Sequence, residues 1–129
     1  MLNVAMTDEL SLSTIGQIAL TVRDLGPAVE FYRDKLRIRL LFQAPNMAFF
    51  DCGGIRLMLG PSEGARESSS ILYFKVDDIQ VACETLESRG VAFERAPHLV
   101  AKMPDHNLWM AFLRDPAGNT LVLMSEIKL

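Results

Sequence analysis

The chain has 129 residues, of which 50% are hydrophobic and 22% are charged, so length and composition suit one folded domain and exclude a disordered chain. Its net charge of −3 gives no electrostatic reason to expect nucleic acid as a partner, because phosphate binding needs a clustered basic surface. No apolar run approaches the ~20 residues of a membrane helix, and residues 1–12 do not resemble a signal peptide, so we expect a cytoplasmic protein with no membrane partner.

The first half of the chain predicts one strand, one helix and three more strands. After an N-terminal arm over residues 1–13, residues 14–22 are strand-like because they combine an apolar run with β-branched neighbours. Asp24 is the predicted N-cap of a helix, Pro27 suits its first turn, and apolar residues at helical spacing continue to Leu36. Three further strands are predicted over residues 37–42, 47–51 and 55–59.

The second half repeats this order of elements. Residues 61–69 are small and polar and predict a surface linker, and residues 70–76 predict a strand. Asp78 then occupies the place of Asp24, and a helix continues through Glu87. Three more strands are predicted, beginning at residues 91–94 and then covering 108–113 and 120–124.

Turn residues support these boundaries. Gly53 and Gly54 predict a tight hairpin because glycine accepts positive φ, and Gly90 is placed as a helix C-cap. Residues 115–118 have Asp, Pro and Gly at the positions that a type I turn prefers.

The order of elements predicts an α+β fold of two βαβββ modules, over residues 14–60 and 70–129. Each module alone is close to the size at which folded domains become marginal, so we expect the two to share a core or to pair with another chain. Cys52 in a predicted turn and Cys83 in a predicted helix have no C-x-x-C spacing and are interpreted as reduced thiols without a catalytic role.

Four motifs stand in the order that is typical of one known family. They are residues 18–25 (IALTVRDL), 31–32 (FY), 72–79 (LYFKVDDI) and 112–121 (FLRDPAGNTL). Together they resemble the glyoxalase/bleomycin resistance family, also called the vicinal oxygen chelate family, over about residues 14–126. The resemblance implies sheets that curl around a cleft, a homodimer, and in many members a divalent metal that acts as a Lewis acid. It also implies that members without metal sequester drugs.

The resemblance places metal ligands in the first and last strand of each module. These positions correspond here to Gln17, Met58, Ile71 and Val122. Gln serves as a ligand in some members, but Met, Ile and Val do not suit a hard cation, which needs carboxylate or imidazole donors. We therefore expect that the inherited metal site is absent and that no cofactor is bound.

The two histidines leave an alternative open. His98 and His106, with Asp105 or Glu126, form a candidate two-histidine, one-carboxylate metal site that is displaced from the family position. The simpler interpretation is that His98 is a loop residue and His106 opens a strand. His106 is the candidate general base or polar anchor, since histidine is the residue type best suited to acid-base chemistry near neutral pH.

Strand parity predicts which side chains line the cleft. If Gln17 points into it, Ala19 and Thr21 do so as well, while Ile18 lies beneath the helix. The predicted ligand-binding set comprises Gln17, Thr21, Met58, Ile71, Tyr73, His106, Met110, Phe112, Val122 and Met124. In this arrangement Trp109 lies on the helix side; without a bulge near the turn, Trp109 is expected to line the cleft instead. The alternative is that the methionines and Phe112 are packed core.

Three functions follow from these observations. The favoured hypothesis is a homodimeric protein that binds a small apolar or aromatic molecule without metal, since such a lining is usual for small-molecule pockets. The second is a metal-dependent lyase, isomerase or dioxygenase that uses His98 and His106. The third is a structural or regulatory partner protein with a filled cleft.

Overall fold

A computed structural model describes residues 10, 13–61 and 70–129 of the chain. Within them the elements are β1 (Gln17–Thr21), α1 (Leu25–Glu30), β2 (Arg39–Ala44), β3 (Met47–Cys52), β4 (Ile55–Gly60), β5 (Leu72–Lys75), α2 (Ile79–Ser88), β6 (Phe93–Lys102), β7 (His106–Arg114) and β8 (Thr120–Lys128). A π-helical turn, Phe31–Lys35, continues α1. The predicted N-terminal arm and linker lie largely outside the described residues. Neither described helix is long and apolar enough to cross a membrane.

The strands form two four-stranded mixed sheets, in the orders β1-β4-β3-β2 and β5-β8-β7-β6. In each sheet the first and last strands of the module pair in parallel, and the other neighbours pair antiparallel. Helix α1 packs on β3 and β4, and α2 packs on β6, β7 and β8. The predicted α+β fold of two βαβββ modules is therefore confirmed.

The first helix differs from its prediction in detail. Asp24 occupies the N-cap position with extended backbone, but its side chain makes no capping hydrogen bond. The chain then leaves α-helical geometry at Phe31, whose carbonyl accepts a hydrogen bond from the Leu36 N–H at 3.0 Å, five residues on. The helix ends with Arg37 at φ 57°, a left-handed conformation that favours glycine.

The second helix follows its prediction closely. The Asp78 carboxylate accepts a hydrogen bond from the Val81 N–H at 3.1 Å and caps the helix. Gly90 has a φ of 89°, as a glycine C-cap requires, and the Val91 N–H closes the turn on the Leu86 carbonyl at 3.0 Å.

The predicted turns are present, whereas one strand was misplaced. Gly53 and Gly54 have φ values of 63° and 90° between β3 and β4, and the Gly118 N–H donates to the Asp115 carbonyl at 3.0 Å. Strand β6 extends to Lys102, so the interpretation of His98 as a loop residue was wrong. His106 opens β7, as predicted.

One hydrophobic core and one buried polar cluster join the modules. The core holds apolar side chains from both helices and both sheets. The Asp115 carboxylate accepts hydrogen bonds from the Tyr32 hydroxyl (2.8 Å), from the Asn119 side chain (2.8 Å), and from the N–H groups of Ala117 (2.9 Å) and Asn119 (2.8 Å). The Asn119 amide also donates to the Thr21 carbonyl at 2.9 Å. Burial, with Asp115 beside it, raises the pKa of Tyr32 above its ordinary value.

Candidate functional site

Each sheet has a helix-side face and an open face. On the first sheet, Leu20, Leu57 and Phe50 belong to the buried core with the helices. Alternate side chains of a strand point to opposite faces, so the residues between them lie on the open face. The same rule applies to the second sheet, where Leu113 and Leu121 belong to the core.

The open face of the first module is apolar and aromatic at its centre. The Gln17 amide nitrogen lies 3.9 Å from the Met58 sulfur. Met58 is the cross-strand neighbour of Phe49, and the ring of Phe49 stacks on that of Phe42 with centroids 4.5 Å apart. The guanidinium of Arg56 lies over the Phe49 ring, 5.9 Å from its centroid.

The open face of the second module has a similar centre. Tyr73, Val122 and Phe112 are neighbours across three adjacent strands. The ring of His98 stacks on that of Phe112 with centroids 5.9 Å apart, and the Arg95 guanidinium lies 5.7 Å from the Phe112 centroid. This face therefore presents an aromatic ring with a cation beside it.

The side chains of β7 alternate as predicted, with Met110 and Phe112 on the open face and Trp109 on the helix side. Met110 pairs with Met124 and Phe112 with Val122, so these residues share the open face, and Trp109 packs against the helix-side core. Pairing between β7 and β8 is regular from end to end, so the expectation that Trp109 would line the cleft without a bulge was wrong.

The remaining predicted lining residues differ in accessibility. Ile71, just before β5, is 46% exposed, whereas Val122 is fully buried (0%) and has no surface for a ligand to contact in this conformation. Val122 lies outside the helix-side core, because it points the other way from Leu121 on β8. Thr21 is half-buried at the end of β1.

His98 and His106 do not lie close enough together to bind one metal ion. The Nδ1 of His106 lies 2.7 Å from an Asp105 carboxylate oxygen, and this hydrogen bond lowers the pKa of Asp105. The Nδ1 of His98 instead lies 2.8 Å from the Ala96 carbonyl. His98 is level with Met110, four residues along β7 from His106, or roughly 13 Å at strand spacing. Glu126, the other carboxylate considered, forms an ion pair with Lys75 at 3.2 Å.

Both cysteines are free thiols. Cys52 ends β3, next to the turn in which it was predicted, and Cys83 is buried in α2. Burial raises the pKa of both thiols, that of Cys83 to about 11, so both are protonated near neutral pH.

Parity reasoning on the sequence missed part of the site. Phe42, Phe49 and Arg56 were not predicted, although the alternation that placed Met58 inward, applied to the neighbouring strands, gives Phe49 as well. Arg95 was missed because irregular pairing in β6 breaks the alternation. A cavity of about 350 Å³ on the helix side was also unforeseen; Leu36, Phe74, Ala82, Leu86 and Leu123 are among its lining residues.

The chain matches the model of the glyoxalase/bleomycin resistance protein/dioxygenase superfamily over residues 14–123. It belongs to this superfamily. The predicted resemblance is thus confirmed. The chain is 31% identical over 124 residues to the uncharacterized protein YraH of Bacillus subtilis, and this match covers 81% of the chain and 92% of that protein.

Solved structures of the superfamily share the fold. Lactoylglutathione lyase from Agrobacterium tumefaciens has a TM-score of 0.73 at 23% identity, covering 88% of this chain and 93% of that one. TnmS3, an antibiotic binding protein from a Streptomyces species, has a TM-score of 0.73 at 23% identity, covering 91% of this chain and 98% of that one.

The residues of this chain do not fit the metal of the metal-dependent superfamily members. At the four ligand positions, Gln17 offers one amide oxygen and Met58 a thioether, while Ile71 and Val122 offer no donor. The Gln17 amide and the Met58 sulfur contact each other. Over residues 13–61 and 70–129, no group of three or more His, Cys, Asp or Glu side chains is arranged to hold a metal ion.

Proposed function

We propose that this superfamily member binds a small apolar or aromatic molecule on the open faces of its sheets, without a divalent metal, as a cytoplasmic homodimer. The observation that carries the proposal is the donor set. A hard cation needs several carboxylate or imidazole ligands, and the four family positions supply one amide oxygen and one thioether.

The surface of the open faces supports a ligand-binding role. Phe42 is 50% exposed beside the partly buried Phe49, and Tyr73 is 52% exposed beside Val122. Exposed aromatic rings of this kind support a surface that another molecule covers. The flexible thioethers of Met58, Met110 and Met124 adapt to ligands of irregular shape.

The superfamily fold serves both binding and catalysis, since its solved structures include the antibiotic binding protein TnmS3 and a lactoylglutathione lyase. Fold alone does not choose between them, because function depends on the residues of the site. Here the side chains at the ligand positions favour binding.

Further exposed apolar side chains support the homodimer. Leu41, Leu99, Val100 and Ile127 are exposed on strands that a single chain leaves uncovered. Light scattering coupled to size-exclusion chromatography tests this directly, with a mass of twice 14.4 kDa expected for the dimer.

Elemental analysis and calorimetry together test the proposed function. We expect the purified protein to hold far less than one metal per chain after incubation with Mn²⁺, Ni²⁺, Zn²⁺ or Fe²⁺, and to bind aromatic compounds equally well with and without EDTA. Met58→Ala is expected to weaken binding several-fold, because it removes apolar contact area from the open face. Val81→Ala is the matched control, since Val81 is an exposed apolar residue of α2.

Stoichiometric metal and ligand binding that EDTA abolishes would contradict the proposal. Retention of aromatic binding in Met58→Ala, with loss in Val81→Ala, would move the site to the helices. Failure of every aromatic compound to bind would favour a structural or regulatory protein.

A further inference from the structure

We propose that the ligand is a planar aromatic anion, such as an aromatic carboxylate, sulfonate or phenolate. This inference rests on the proposed function and adds to it the charge and shape of the ligand. It comes from a feature that both modules share: a phenylalanine on the open face with a second ring stacked on it and a guanidinium beside it.

The phenylalanines of the two modules occupy equivalent positions. Phe49 is the cross-strand neighbour of Met58 on the last strand of its module, and Phe112 is the neighbour of Val122 on the last strand of its own. Met58 and Val122 are the corresponding residues of the two modules. The phenylalanines therefore stand at one place in the repeated fold, whereas the guanidinium comes from the last strand of the first module (Arg56) and from the second strand of the second module (Arg95).

The stacked rings differ in chemistry and in centroid separation, which is 4.5 Å in the first module and 5.9 Å in the second, but both lie nearly parallel to the phenylalanine. Phe42 lies on Phe49 with an interplanar angle of 23°, and His98 lies on Phe112 with an angle of 19°. Near-parallel rings of this kind form flat apolar surfaces, against which a further planar ring packs by offset stacking.

The two arginines are not neutralised by carboxylates. Among the described residues, neither Arg56 nor Arg95 forms an ion pair, whereas other charged side chains of the second sheet do: Lys75 with Glu126 at 3.2 Å and Arg114 with Glu94 at 2.6 Å. The cross-strand neighbour of Arg56 is Asp51, and its carboxylate accepts the Gly54 N–H at 3.1 Å in the β3–β4 turn.

A guanidinium beside a phenyl ring is suited to an anionic aromatic ligand. The ring contact holds the guanidinium through its charge and leaves N–H donors at its edge available. Those donors match the two oxygens of a carboxylate or sulfonate, while the phenyl and stacked rings contact the aromatic part. A cationic ligand would instead be repelled by both arginines.

Three probes of one shape separate the effect of charge from that of apolar contact. Naphthoate carries a negative charge, methyl naphthoate is neutral, and naphthylmethylammonium is positive. By calorimetry at low salt, we expect naphthoate to bind about tenfold more tightly than its ester, as one charge-assisted hydrogen-bonded contact provides. Added salt should reduce this preference, because both arginines are exposed.

Arginine variants locate the source of the preference. Arg56→Gln and Arg95→Gln are expected to lower naphthoate affinity several-fold each and to leave the affinity for methyl naphthoate nearly unchanged. Arg56→Lys and Arg95→Lys keep the charge and should retain part of the preference. Arg33→Gln is the matched control, since it removes the same charge from an exposed site where Arg33 pairs with Asp34.

The outcomes distinguish the two proposals. Equal binding of all three probes, or tightest binding of the cation, would overturn the anion inference and leave the proposed function intact. A naphthoate preference that Arg33→Gln lowers as much as Arg56→Gln would also overturn it, since net charge would then be the cause. Failure of all three probes to bind would count against the proposed function itself, and the inference would fall with it.

Discussion

The helical segments of the two modules occupy equivalent places in the fold, but the first is one residue longer than the second. The left-handed Arg37 stands thirteen positions after the N-cap Asp24, whereas Gly90 stands twelve positions after Asp78. The last turn closes on equivalent residues, because the Ile38 N–H donates to Tyr32 and the Val91 N–H donates to Leu86. The first helix thus contains one extra residue before its end.

The π-helical turn is the structural result of this extra residue. A single inserted residue is accommodated when one turn widens to i→i+5 hydrogen bonding, as it does between Phe31 and Leu36. The insertion leaves Tyr32 at the start of the wide turn, from where its hydroxyl reaches Asp115 of the other module. The equivalent Leu86 is also buried in the core but has no polar group with which to contact the other module. The repeat is therefore symmetric in topology and asymmetric in how the modules are joined.

Breaking the asymmetric contact should have the largest effect on stability. Asp115→Ala removes the acceptor of the Tyr32 and Asn119 side chains, so we expect a loss of about 3–5 kcal/mol in the free energy of unfolding, measured in urea. Tyr32→Phe should cost about 1–2 kcal/mol, since it removes one of the hydrogen bonds to Asp115. Tyr73→Phe is the control and should change little, because Tyr73 is exposed. A cost below 1 kcal/mol for Asp115→Ala would show that the cluster does not join the modules.

Deleting Leu36 tests whether the π-helical turn results from one inserted residue. Without Leu36 the first helix has the length of the second, and we expect a folded protein that loses about 2 kcal/mol because one partly buried leucine is gone. Deleting Glu84 from the middle of α2 should instead unfold the protein, because it rotates the following residues, including Leu86, by about 100° around the helix. Equal damage from the two deletions, seen by circular dichroism and thermal unfolding, would contradict the insertion.

The buried positions Val29 and Cys83 are equivalent in the two helices, and only one can titrate. The pKa of Cys83 is raised from 9.0 to about 11, so its contribution to stability is present below pH 9 and is lost as the pH rises toward 11. We expect Cys83→Val, which copies the first helix, to make the free energy of unfolding fall less between pH 8 and pH 10.5, by roughly 1–2 kcal/mol. Identical pH profiles of the two proteins would contradict the burial effect.

Exchanging the residues that end the helices should give the smallest change. Arg37→Gly is expected to stabilise the protein by about 0.5–1 kcal/mol, because glycine adopts a φ of 57° without strain. Gly90→Ala should destabilise it by about 1 kcal/mol, since φ is 89° there and a Cβ atom would lie 3.3 Å from the Lys35 Nζ. Destabilisation by Arg37→Gly would mean that the arginine side chain contributes more than its backbone strain costs.

The order of elements could be predicted from sequence because apolar periodicity and turn residues agree in both modules. The π turn could not, since the extra residue is visible only when the two helix ends are aligned by their hydrogen bonds. Strand β6 was cut short because Pro97 interrupts the pattern. The structure tolerates Pro97 because β6 is an edge strand whose pairing shifts between Arg95 and His98.

The candidate site was predictable where strands are regular. Parity placed Met110 and Phe112 on the open face, as the structure does, because β7 and β8 pair without interruption. It did not reveal that Val122 is buried, since accessibility depends on neighbouring side chains and not on parity alone. Alternation along β4 puts Arg56 on the same face as Met58, but it does not give the contact with Phe49, and irregular pairing in β6 hid Arg95.

Amide NMR, with EDTA present throughout, can show whether naphthoate binds on the open faces without a metal. We expect saturable shifts of amides on the open-face strands, at Phe49, Met58 and Phe112. Shifts confined to the helix-side cavity, at Leu36, Ala82 and Leu86, would contradict this expectation, as would shifts that appear only after a divalent metal is added.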